Sequence, residues 1–429
     1  MCYIMNLRPK LFAFSLIKRF STQVQTKAAS LIISKHCMPE PEYNIEYLCN
    51  EKNRDAILNN IMKRKGVGDI DKVLELSKKL DSKNELLLEL SKIPNCTDPQ
   101  VLEYGDEPQI LKISGSERKF DFKPQEFSVL AGKLKLLRTE NLGPFAGHKS
   151  YILLGDLAEL EQALIHYSIR KLMVSGFKLV SVPDILPTAV IERCGLIVNN
   201  ERTLVYTLDP CYGDKLGLSG TAEMSLANKL TNTVLSQEKL PLKLAAVSRC
   251  FRAETSKAAE ERGIYRVHQF TKVEMFACSE QEKSSDFLSE IQSIQEDMFT
   301  DLNLHFKVLD MPPYELGAPA YRKLDIEGWM PGRGIFGELS SCSNCTDYQS
   351  RRLNIKYKTK NGETMHVHTL NGTACAIPRM LIAICETHQT KDGNIKVPSK
   401  LVPYMKGKTI IEKQPIADTR TYKYKPKIN

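Results

Sequence analysis

The sequence predicts an α+β protein: an antiparallel sheet flanked by helices, behind a short N-terminal helical arm. Three features predict it. Between Leu242 and Ala277 two strand-like stretches are joined by a charged loop, which favours an antiparallel pair. Asn361-Gly362 separates Leu353–Lys358 from Thr364–Leu370, a type I′ hairpin signal. Helical periodicities surround these strands, and three shorter apolar stripes precede them.

At 429 residues the chain can bury a large core, and its length predicts two or three domains. A net charge of +9 fits a polyanionic partner such as RNA. Twelve cysteines without a regular framework point to free thiols in a reducing compartment. No apolar run reaches the length that spans a membrane.

Residues 1–36 contain no acidic side chain, while Arg8, Lys10, Lys18, Arg19 and Lys27 lie among Leu11, Phe12, Phe14, Leu16, Ile17 and Phe20. That composition predicts a mitochondrial presequence over residues 1–30, and with it the mitochondrial matrix. Residues 40–115 read as a reduced helical arm. Ile57, Leu58, Ile61 and Met62 form one stripe, Val73, Leu74, Leu76 and Leu80 a second, Leu86, Leu87 and Leu90 a third. Gly66 and Gly68 mark a turn between the first two. Each stripe covers only a few turns at ~1.5 Å per residue, so the helices are short.

Residues 116–410 form the main body. Gly143-Pro-Phe-Ala-Gly147-His-Lys149-Ser150 nearly spells a phosphate loop, but Pro144 lies inside it and the strand follows instead of preceding. Asp156 and Glu159 read as a capping box for a helix ending near Gly176, with a strand from Phe177 to Val182. Thr221 stands at the start of a helix running to Leu230. Phe287, Leu288, Ile291, Ile294, Met298 and Leu302 mark a core-facing helix capped by Ser285, and Phe306–Leu309 a strand. Asn371 to Arg379 is a turn that opens a helix to about Glu386. Residues 411–429 form a basic tail.

The central stretch is chemically the richest. From Ile264 to Ala277 the residues alternate, so that Arg266, His268, Phe270, Lys272, Glu274 and Phe276 share one face. Arg252 and Glu254 on the preceding strand can join them. Charge on a half-buried sheet is costly unless it meets a partner, so this face is a candidate ligand site.

The residues FRAE, RG and YRVHQFTKVEMF within 251–276 resemble motif 2 of class II aminoacyl-tRNA synthetases. Their wording is similar to that of the seryl-tRNA synthetase family, above all its animal mitochondrial members. The helix, strand and proline ending at Pro183 resemble motif 1, and Asn371–Arg379 with its helix resembles motif 3. SSCSNCTDYQSRR at 340–352 is similar to seryl enzymes in particular. The resemblance implies a homodimer. It also implies ATP-dependent ligation of serine to mitochondrial tRNA(Ser) through a seryl-adenylate.

It further implies roles for single residues. Arg252 would hold the α-phosphate and the serine carboxylate, Arg379 the γ-phosphate, and Glu338 with Ser341 the Mg²⁺ and phosphates. Ala253, Glu254, Val267, Phe270, Leu339 and Ser340 would complete the ATP site, with Glu254 at the adenine edge. Thr221, Ala222, Glu223, Glu274, Asn371 and Thr373, together with Arg252, would hold serine. Arginine suits such work because its planar fork grips phosphate or carboxylate with two bonds. The family's long coiled-coil arm is missing here. Lys63, Arg64, Lys65 and Lys72 are the candidate tRNA contacts on the short arm, with the tail lysines as a second cluster. Two other readings stand beside this one: a catalytically inactive mitochondrial paralogue acting as a binding or regulatory protein, and a class II enzyme for another small amino acid. Cys342-x-x-Cys345 with His366-x-His368 could frame a zinc site, but no zinc is expected, because the resemblance implies a zinc-free site.

Overall fold

The computed structural model describes residues 38–79, 81–139, 149–198, 203–255 and 262–413. The expected presequence, Gly143–Gly147, Leu80 and the tail beyond Lys413 lie outside them.

Among the described residues the arm is built mainly on three short helices, α1 (Arg54–Lys63), α2 (Ile70–Ser77) and α3 (Lys83–Lys92), flanked by single turns at Ile45–Leu48 and Pro99–Leu102. Asp69 caps α2 by accepting the Lys72 N–H. Ile57, Ile61, Ile70, Val73, Leu74, Leu90 and Ile93 pack into a small core of their own. Met62, expected in the first stripe, is 68% exposed. It falls on the outer side of α1, past the edge of the packed face.

An eight-stranded sheet forms the body. Its strands are β1 (Gln109–Ser114), β2 (Lys178–Leu179), β3 (Leu242–Phe251), β4 (Gln269–Ser279), β5 (Phe306–Asp310), β6 (Arg322–Met330), β7 (Ile335–Asn344) and β8 (His368–Ala376). The spatial order is β1-β5-β6-β7-β8-β4-β3-β2. Every neighbouring pair is antiparallel except β2 and β3. Since β1 pairs with β5, the expected arm boundary at 115 falls too late, and Gln109–Ser114 belongs to the sheet.

Helices α4 (Gly155–Val174), α6 (Ser284–Asp301) and α7 (Ile377–His388) cover one face, and α5 (Ala222–Lys229) lies against the other. Val273, Met275 and Ala277 of β4 enter the core under the first group. Phe276 and Cys278 join Ala222 and Leu226 on the other side. Alternation along β4 therefore leaves Lys272 and Glu274 on the α5 side, where the candidate site lies.

Several boundaries differ from expectation. The β3–β4 ladder ends at Phe251 opposite Gln269, so Arg252–Glu254 and Ile264–His268 are not strand. His268 N–H bonds to Lys149 O at 3.3 Å instead of continuing the ladder. Asn371–Ala376, expected as a turn, is the second half of β8. The hairpin at Asn361-Gly362 closes through a loop from Thr359 to Glu363, in which only Gly362 takes a positive φ, +90°. A type I′ turn needs two such residues. Helix α4 begins without a side-chain cap, and Asp156 in its first turn meets Lys408 instead. The strand expected from Phe177 to Val182 shrinks to β2, its residue Val180 still bonding Ala245 O at 2.8 Å.

Candidate active site

A cleft with about 570 Å³ of empty space, part of it open to solvent, lies at the end of β3, β4, β7 and β8. Arg252, Glu254, Tyr265, Phe270, Glu338 and Arg379 line it, from segments that only the sheet brings together. The Arg252 guanidinium lies 5.4 Å from the ring centre of Phe270, and its Nε donates to Gly220 O at 3.4 Å. Arg379 is the third residue of α7, whose N-terminus carries Pro378 at a position that lacks an intrahelical partner anyway. Its guanidinium sits 4.5 Å from the Tyr265 ring centre. Its Nη1 is 3.0 Å from Glu338 Oε2 and donates to Glu338 O at 3.1 Å. Arg266 reaches Glu254 at 3.4 Å.

These charges set the state of Glu338. Burial alone would raise its carboxyl, but Arg379, Lys323 and Arg252 outweigh burial and hold it at about 2. It is therefore ionised at neutral pH. A carboxylate and the Ser341 hydroxyl form a hard-oxygen set of the kind that suits Mg²⁺, so the residues fit that ion.

A second cluster adjoins the cleft. Lys272 Nζ is 2.5 Å from Glu274 Oε2, both nearly fully buried, and Thr373 Oγ1 donates to Glu274 at 3.3 Å. Glu223, in the first turn of α5, accepts from Gln349 Nε2 at 2.6 Å and from Asn371 Nδ2 at 2.8 Å. Thr221 is the N-cap of α5, its hydroxyl accepting the Glu223 N–H at 3.4 Å. Burial and the Glu274 charge push the Glu223 carboxyl up to about 7, against the pull of Gln349, Lys272 and Asn371. The cluster therefore holds two acidic groups, one lysine and several amide donors. Such a pocket matches a small zwitterion whose ammonium would satisfy the surplus acid.

A family model described as the tRNA synthetase class II core domain (G, H, P, S and T) matches residues 206–388. The chain is 40% identical over 340 residues to a serine–tRNA ligase of Treponema denticola, covering 78% of this chain and 80% of the relative. The chain belongs to the serine–tRNA ligase family. It is also 45% identical over 332 residues to the mitochondrial serine–tRNA ligase of Bos taurus, covering 76% of this chain. The match spans 64% of that relative's own length. Seryl-tRNA synthetase from Pyrococcus horikoshii, solved with ATP, superposes with a TM-score of 0.79 at 28% identity, covering 87% of this chain and all of that one.

Within this family framework most expected site residues fall together. Arg252, Glu254, Val267, Phe270, Glu338, Leu339, Ser340, Ser341 and Arg379 line the cleft, and Thr373 joins it to the second cluster. Three of the expected residues differ in detail. The Ser340 hydroxyl turns away, donating to Thr373 O and accepting from Gln295 Nε2 at 2.7 Å. The Leu339 side chain is in the helix-covered core, leaving its backbone at the cleft. Ala253 is absent from the cleft lining, and its N–H bonds to Leu204 O at 2.9 Å.

The arm corrects the expected tRNA contacts more strongly. Arg64 is 3% exposed, and its guanidinium donates to Ala320 O at 2.9 Å and Asn95 O at 2.8 Å, and also to Gly317 O. It fastens the arm to the body and is not presented to a phosphate. Lys72 is bound to Glu89 at 2.9 Å, and the Lys63 ammonium reaches Leu102 O. Lys65 is exposed.

Cys342 packs in the helix-covered core, whereas Cys345 receives Asn371 Nδ2 at 3.6 Å. Burial raises both thiols. Among the described residues no group of three or more His, Cys, Asp or Glu could hold a metal ion.

Gln349, Lys272, Tyr265 and Gln295 were not singled out as site residues from sequence. Lys272 carried a signal, since it lies on the charged face of β4. Gln349 lies in the 340–352 stretch that resembles seryl enzymes, but its partner Glu223, 126 residues away, was not visible from it.

Proposed function

We propose that this chain is a mitochondrial serine–tRNA ligase. The observation that carries the proposal is the Glu223–Gln349–Asn371 cluster adjoining, through Thr373, the Arg252–Arg379–Glu338 cleft. The serine carboxylate attacks the α-phosphorus of ATP. An O–P bond forms, the bond to pyrophosphate breaks, and its electron pair leaves with pyrophosphate. Arg252 orients carboxylate and α-phosphate together, and Arg379 holds the γ-phosphate. Positioning and charge stabilisation supply the rate. The terminal ribose hydroxyl of tRNA then attacks the acyl carbon and AMP leaves. Glu223 and Glu274 accept from the serine ammonium and hydroxyl, with Thr221 and Thr373 closing the pocket; the Ala222 side chain packs in the core under α5, which leaves only its backbone to take part. A site built around a hydroxyl discriminates strongly against analogues lacking it. Glu338 and Ser341 would hold Mg²⁺, which when bound neutralises phosphate charge.

The partners follow from the same reading: serine, ATP and mitochondrial tRNA(Ser), in the mitochondrial matrix. A homodimer belongs to the same reading and rests on the motif 1 resemblance. Among the described residues no helix is long and apolar enough to cross a membrane. Charging of mitochondrial tRNA(Ser) transcripts with labelled serine tests the proposal. Transfer of serine supports it, and no transfer by folded protein opposes it.

A further inference from the structure

Asn95, in the loop after the arm, touches both the arm and the turn that supports the serine pocket. Its carbonyl accepts from Asn60 Nδ2 of α1 at 3.0 Å and from Arg64 Nη1 at 2.8 Å. Its side-chain Nδ2 lies 2.8 Å from Pro319 O, 2.9 Å from Cys345 O and 2.9 Å from Thr346 Oγ1. Thr346 has φ +43°. A β-branched residue takes that conformation only where its surroundings impose it, and such strain concentrates at functional sites.

The imposed turn leads directly to Glu223. Thr369 N–H bonds to Thr346 O at 2.9 Å, and Cys345 N–H bonds to Thr369 O at 2.9 Å. Thr369 Oγ1 donates to Gln349 Oε1 at 2.7 Å, which aims the Gln349 amide at Glu223. Cys345 Sγ meets Asn371 Nδ2, the other donor to Glu223. Both groups that orient the Glu223 carboxylate therefore rest on the Cys345–Thr346 turn that Asn95 holds. Arg252, Glu338 and Arg379 are not in this chain of contacts.

We infer that Asn95 is a positioning residue for serine: by clamping Thr346 it fixes Gln349 and Asn371, and so couples the seating of the arm to the amino-acid pocket and not to the ATP cleft. The inference rests on the serine reading above for its ligand.

The test uses Asn95→Ala in the full chain. In serine-dependent pyrophosphate exchange the KM for serine should rise about tenfold, the scale of a coupling through packed neighbours, while kcat and the KM for ATP stay within about twofold. Hydrogen exchange at Thr369–Asn371 should quicken, with Glu338–Ser341 unchanged. Adding Thr346→Gly relieves the strained φ and should restore much of the serine KM, which a merely structural role for Asn95 does not predict. If Asn95→Ala fails to fold, Asn95→Ser keeps one neutral donor at the turn, and should raise the serine KM by less while leaving the ATP KM unchanged. An unchanged serine KM with unchanged exchange at Thr369–Asn371 overturns the inference, as does an equal rise in both KM values. A wild-type chain that cannot activate serine would instead overturn the proposed function. The hydrogen-exchange comparison still reads the clamp in that case, and unchanged protection would overturn it separately.

Discussion

Arg379 and Glu338 form an ion pair at 3.0 Å inside the cleft, with Tyr265 stacked on the arginine. The pair holds the arginine's fork in place and keeps the glutamate ionised. An arginine held by stacking and a partner loses little freedom when a phosphate arrives. Arg379→Ala should lower serine activation by about 10²–10³-fold, the usual cost of removing one such donor. Arg379→Lys should be impaired as well, since a point charge cannot replace the fork. Exchange kinetics check this, and a near-normal rate would reassign Arg379 to structure.

Burial and the Glu274 charge push the Glu223 carboxyl up to about 7. An incoming ammonium favours its charged form, so binding serine below that pH requires losing a proton. The KM for serine should fall as pH rises through about 7 and level off above it, by up to about tenfold per unit on the acid side. Glu223→Gln should raise the KM and flatten the profile. A wild-type profile with no inflection between pH 6 and about 8 would contradict the assignment.

Arg64 and Lys65 are adjacent in sequence but should behave differently. Arg64→Ala orphans buried carbonyls at about 1–3 kcal/mol each and should lower the melting temperature. Lys65→Ala should leave melting unchanged and slightly flatten the salt dependence of tRNA binding, by about one phosphate's share. The reverse pattern would restore Arg64 as a nucleic-acid contact.

Residues 1–30 should carry a reporter into mitochondria, because an acid-free basic amphipathic segment is what import reads. A cytosolic reporter would contradict this.

The sheet and the cleft were legible where chemistry and periodicity coincide. Alternation along β4 placed Lys272 and Glu274 on one face, and the motif 3 resemblance put Arg379 at a helix start. Arg64 was misread because its charge was visible while the carbonyls of Gly317 and Ala320, more than 250 residues on, were not. The start of β4 was misread because Arg266 and His268 continue the alternation, although the His268 N–H turns to Lys149 O, outside the ladder. Ser340 lines the cleft, but only the fold shows its hydroxyl turned to Gln295. Gln349 and Asn95 act through partners that no local pattern announces.

The most direct measurement is ATP–pyrophosphate exchange by the purified mature protein, comparing serine with alanine and threonine. Exchange should depend on serine and be far weaker with alanine. No exchange with serine, or equal exchange with alanine, would contradict it.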